Sequence, residues 1–259
     1  MLYACPKSRL IGEQGLPDLS SYRVSFAPAC RFALLGVIAV LLANVSGEAL
    51  AHAIGGKDAA FVAATKGPAP LPFAYLGGKH MVTGYDHLLF LLGIIFFLTR
   101  FRDVALYVSL FAIGHSITLL SGVLIGFGLN AYLVDAVIGL SVVYKAFDNL
   151  GGFETLFGGR PNPKWVVLVF GLVHGLGLAT KLQELRLNQN GLLINLVSFN
   201  VGVEIGQLIA LSIMLALIAV WHRTRWFSST AIAANGLLMV AGFCLIGVHL
   251  AGYVITKGA

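Results

Sequence analysis

Thr83-Gly84-Tyr85-Asp86-His87-Leu88-Leu89-Phe90-Leu91-Leu92 sets a carboxylate and an imidazole side by side at the head of a long apolar run. An ionisable group in lipid is costly unless it is paired, hydrated or bound to something. Working outward, later apolar runs repeat the theme. One carries His115-Ser116-Ile117-Thr118, another His174-Gly175-Leu176-Gly177, and a third Asn200 with Glu204 and Gln207. Four apolar runs bearing metal-type ligands point to a polar site inside an all-α membrane bundle.

Composition agrees. Only 11% of the 259 residues are charged, against about 25% in a soluble domain. The mean hydropathy is +0.88. The 31 glycines suit helices that approach closely in lipid. The net charge of +6 does not indicate nucleic acid: the basic residues lie at the ends of apolar runs, with no basic stripe interleaved with aromatics. Cys5, Cys30 and Cys244 are too few and too scattered for a disulfide framework or a paired-cysteine metal site.

Residues 1–53 read as a cleaved signal peptide. Lys7, Arg9, Arg23 and Arg31 precede an apolar core from Phe32 to Val45, shorter than the roughly 20 residues a spanning helix needs. Ala49-Leu50-Ala51 and Ala51-His52-Ala53 are both small-x-small cleavage sites. A short extracytoplasmic segment, 54–79, leads into a transmembrane domain, 80–255. Six spans are expected near 80–98, 104–126, 131–149, 164–181, 191–220 and 229–255. With the leader removed, the mature N-terminus lies outside the cytoplasmic membrane. Arg100, Arg102, Arg160, Lys164, Arg223 and Arg225 then face in, and Lys181, Arg186 and Lys257 face out, as the positive-inside rule prefers. The C-terminus is outside as well.

On these spans Asp86, His87, His115, Asp135, His174, Asn200, Glu204 and His249 share one layer opening outward. Asn200 and Glu204 lie on one helix face, and Gln207 extends it. Asp86 and His87 diverge by about 100° on an ideal helix, so one is expected to bind a metal and the other to orient a neighbour. Imidazole with carboxylate suits nickel, zinc, copper or iron(II) better than calcium or magnesium. Exchangeable ligation is what a permeation path needs. The expected ligands are Asp86, His87, His115, His174 and Glu204. Asn200, Gln207, Ser116, Thr118, Asp135 and His249 support them, or act only as helix-to-helix glue. Lys145 is expected to snorkel, Asp148 and Asn149 to cap their helix, and His80 and His222 to be interfacial. Ser116 beside His115 is a poor hydrolase pair, because neighbours on a helix face apart.

These motifs resemble the HupE/UreJ family of bacterial membrane proteins. The resemblance rests on Gly84 to Phe90, Gly114 to Thr118, Phe170 to Gly177 and Phe199 to Gln207 in order, and it covers roughly 70–255. It implies a cleaved leader, six helices and a role as a nickel permease or metal-supply protein tied to hydrogenase and urease clusters. The bilayer, the metal ion and metalloenzyme maturation proteins are then the partners. Family members tend to carry Glu where this chain has Asp135 and Asp148, whose shorter reach weakens a ligand role for Asp135. The expectation is therefore a divalent-cation permease, nickel first, with zinc, copper or iron as alternatives. Two other readings stand beside it: a membrane-embedded metalloenzyme with Glu204 as general base, and an accessory factor that binds metal without transporting it.

Overall fold

The computed structural model describes residues 56–258 apart from Thr99, Gly128, Arg186 and Arg225. The expected signal peptide and its two cysteines lie outside the described residues, as do two of the arginines in the charge argument. Among the described residues all regular structure is helical. In chain order the helices are α1 (Gly56–Ala64), α2 (Pro70–Thr83), α3 (Tyr85–Ile95), α4 (Phe101–Ile125), α5 (Ala131–Asn149), α6 (Gly152–Phe157), α7 (Pro163–Glu184), α8 (Leu192–His222) and α9 (Phe227–Gly258).

Four segments are long and apolar enough to cross a membrane: α4, α7, α8 and Thr230–Lys257 of α9. The other two expected spans differ in kind. The span placed at 80–98 is two helices meeting at Gly84, whose backbone is extended (φ −74°, ψ 102°). The Gly84 N–H closes α2 on the His80 carbonyl at 2.9 Å, and its own carbonyl accepts from Leu88 N at 3.1 Å to open α3. With 11 residues, α3 is about 16 Å long, roughly half the hydrocarbon core. The 19 residues of α5 contain buried Asp135, Lys145 and Asp148, so it is apolar only once those charges are paired.

Glycine determines how the helices pair. A Cβ on Gly77 would strike the Phe199 carbonyl, and one on Gly202 the Ala74 carbonyl, so α2 lies directly against α8. Gly114, Gly171 and Gly175 seat α4 on α7 in the same way, and Gly139 with Gly242 seats α5 on α9. Small residues that let backbones touch are the means by which helices associate where lipid is as apolar as the side chains. Short α3 makes contacts with α2, α4, α5, α8 and α9, and thus sits among the three pairs. Its Phe90, Leu91 and Ile95 are almost fully buried.

Polar ties hold the ends. Asn195 of α8 donates to the Gly67 carbonyl at 3.0 Å and accepts from Ala69 N at 2.7 Å, which fixes the approach to α2. Lys79 of α2 meets Asp58 of α1 at 2.6 Å.

Candidate metal centre

The turn at Gly84 delivers Asp86 and His87 to the buried head of α3. Asp86 Oδ1 accepts from His87 N and from His87 Nδ1, each at 2.9 Å. A carboxylate has no proton to give, so Nδ1 carries the hydrogen, which in the neutral ring leaves the lone pair on Nε2. On α7, His174 Nδ1 lies 2.7 Å from the Phe170 carbonyl, which also only accepts. His174 is therefore held in the same tautomer. The Nε2 atoms of His87, His115 and His174 are all buried with no hydrogen-bond partner. Buried polar atoms are seldom left so.

The rings sit close. His87 is 5.0 Å from His174, 5.8 Å from His115 and 5.1 Å from His80, centroid to centroid and edge to face. Two imidazoles on one tetrahedral ion, with metal–nitrogen bonds near 2.0–2.1 Å, would have centroids roughly 5.3 Å apart. The spacing thus fits a shared ion. Among the described residues no three His, Cys, Asp or Glu side chains already stand as a ligand set. The neutral nitrogen donors, braced by a carboxylate and a carbonyl behind them, suit a borderline divalent transition metal.

Below the imidazoles lies an aromatic floor. Phe90 is 5.4 Å from Phe111, 5.6 Å from Phe170 and 5.3 Å from His174, and Phe111 is 5.0 Å from His174.

The remaining expected residues fall into separate groups. Asn200 donates to Ser116 Oγ at 2.8 Å and stands 3.5 Å from Glu204 Oε1. Glu204 itself is exposed on the side of α8. No hydrogen bond or ion pair joins it to an imidazole among the described residues. Thr118 bonds the Leu172 carbonyl at 2.6 Å, and Gln207 the Val108 carbonyl at 3.3 Å; both serve as glue between helices. Asp135 pairs with Lys181 at 2.7 Å and lies 3.7 Å from His249, joining α5, α7 and α9.

Several lesser expectations need correction. His80 is not interfacial: its two ring nitrogens are buried and unpartnered, against His87. Lys145 does not snorkel; it is buried beside Asp148 at 2.6 Å. Asp148 binds Lys145 and Arg160 rather than capping α5. Asn149 donates to the Gly93 carbonyl and to Asn235 Oδ1, each at 2.9 Å. His222, which is not among these corrections, ends α8 and approaches the Phe96 carbonyl at 3.0 Å. In each case a broken or ending helix left backbone or charge to satisfy, which apolar patterning does not register.

Comparison with known proteins gives one family. The family model described as HupE / UreJ protein matches residues 56–257. No curated protein matches the chain, and no solved structure does.

Proposed function

The chain belongs to the HupE/UreJ family, which is generally linked to uptake of metals such as nickel and cobalt, and from that premise we propose that it carries a divalent cation, nickel first, across the bacterial cytoplasmic membrane. The observation that supports this is the trio of buried, unpartnered Nε2 atoms, two of them with tautomers fixed from behind. His87, His115 and His174 take the ion and Asp86 holds His87 in register. His80 stands where it can complete the set. The chain crosses the membrane six times, with α2 and α3 together as the first crossing. The leader is removed, and both mature ends lie outside.

In this reading Glu204 acts apart from the imidazoles, with Asn200 and Ser116. Carriage favours ligands that exchange, and weak neutral nitrogens meet that need better than thiolates. The test is radioactive nickel uptake in cells making equal amounts of each variant. His87→Ala and His174→Ala are expected to bring uptake to the level of cells lacking the protein. Uptake unchanged in both overturns the assignment. Purified protein that retains one slowly exchanging metal and passes none across liposomes would instead favour a metalloenzyme.

A further inference from the structure

The imidazole layer occupies only one end of the buried polar column. Phe170 lies one turn below His174 on α7, and its ring meets Tyr144 of α5 at 5.4 Å. One turn further along α5 is Asp148. Two helical turns span about 11 Å, so Asp148 sits well past the aromatic floor, toward the other face of the bundle. Gly93, six residues beyond His87 on α3, marks the same level: a Cβ there would meet Lys145 Cγ at 2.9 Å.

Asp148 is tightly held. Its Oδ2 accepts from Lys145 Nζ at 2.6 Å and from Arg160 Nη2 at 2.7 Å, and its Oδ1 accepts from Arg160 Nε at 2.6 Å. Glu154 of α6, Tyr107 of α4 and Tyr144 stand within electrostatic reach of this cluster. Among the three side chains in contact one positive charge is in excess, and Glu154, exposed on α6, offsets it only in part because water screens it. A positive constriction repels a divalent cation. The imidazole reading has no use for this cluster.

The three members are not equally fixed. The Asp148 side chain is 5% exposed and that of Lys145 11%, both on a packed helix, whereas Arg160 is 41% exposed. Arg160 belongs to the loop between α6 and α7, where it follows Gly158 (φ +69°) and Gly159, which has open space around it. A glycine pair beside a half-exposed guanidinium is a backbone that can swing.

We propose that Asp148 clamped by Lys145 and Arg160 is the lock that shuts the permeation path on the side away from the imidazoles, and that Arg160 is the part that withdraws to open it. The proposal rests on the permease reading and adds its regulation. In the closed state the aromatic floor and the charge lock stand in series. Withdrawal of Arg160 frees Asp148 Oδ1 to meet an arriving cation and leaves Lys145 and Asp148 as a neutral pair.

The experiment uses the full chain in liposomes enclosing a nickel-sensitive dye, with flux scored per folded protein. Arg160→Gln keeps the Lys145–Asp148 pair, so the fold is not stressed by an unpaired buried carboxylate. Losing a bidentate charged clamp is expected to raise nickel flux by about tenfold. Arg160→Lys should fall between, and nickel affinity at the imidazoles should stay put. A purely structural ion pair would lower protein yield without raising flux. Flux in Arg160→Gln at or below the unaltered level, with His174→Ala still inactive, overturns the lock and leaves the permease reading standing. Flux unchanged in His174→Ala overturns the imidazole site, and no nickel flux through the unaltered protein overturns the permease reading itself.

Discussion

At the residue scale, orientation does as much as identity. Asp86 contacts its own neighbour's ring through a 2.9 Å hydrogen bond. The sequence separates Asp86 and His87 by one helical step, and from that step alone one of the two must turn aside. Which one turned aside is a property of the bond. Removing the brace frees the His87 ring to rotate or change tautomer. Loss of a partner behind a metal-binding histidine typically costs roughly 10–100-fold in affinity. Asp86→Ala is therefore expected to weaken nickel binding by that amount in calorimetry, with the helix content unchanged. Asp86→Asn, which keeps an acceptor oxygen, should lose less. Equal affinity in Asp86→Ala and the unaltered protein would remove the carboxylate from the site. Three of the four central histidines were legible because imidazole is conspicuous in apolar sequence. His80 was not, because it follows a lysine at the very start of the first run, where a histidine reads as interfacial.

At the element scale, the pairing of helices depends on backbone contact rather than on apolar side chains, which lipid would serve equally well. Gly202 and Gly236 separate the two roles of glycine. A Cβ on Gly202 would collide with the Ala74 carbonyl, while one on Gly236 would meet nothing within 4 Å. Overpacking a tight contact costs about 1–3 kcal/mol, and replacing an unconstrained helical glycine by alanine gains roughly 0.5–1 kcal/mol. Gly202→Ala is expected to lower the melting temperature in detergent by several degrees, and Gly236→Ala to leave it unchanged or raise it. A drop of equal size in both would mean that helix flexibility, and not the α2–α8 contact, is what Gly202 supplies. The long helices α4, α7, α8 and α9 were legible as runs of apolar residues. The division of the first run into α2 and α3 was hidden, since Gly84 sits inside that run and the sequence does not mark which glycine carries an extended backbone.

At the scale of the whole molecule, the question is how many times the chain crosses. Among the described residues four helices are long and apolar enough to cross. The other two segments differ from these four in different ways. The 19 residues of α5 reach about 28 Å, close to the roughly 30 Å core. Its acid near the start is paired with Lys181, and its lysine and acid near the end are paired with each other and with Arg160. Paired charge facing the bundle interior is compatible with a crossing. The segment α2–α3 crosses only as two helices in tandem, bridged at Gly84. Six crossings make a strict alternation of sides. Single cysteines at Lys66, Leu129 and Gln189, in a chain otherwise free of cysteine, are expected to react with an impermeant thiol reagent outside intact spheroplasts. Cysteines at Arg100, Gly159 and Arg223 should react only after lysis. All six positions are exposed, so silence cannot be blamed on burial. Lys66 and Arg100 reacting from the same side would make α2–α3 a re-entrant pair; Leu129 and Gly159 doing so would keep α5 from crossing. Either result would also move the charge lock at Asp148 relative to the imidazoles, because both are placed by the direction in which α3 and α5 run through the bundle.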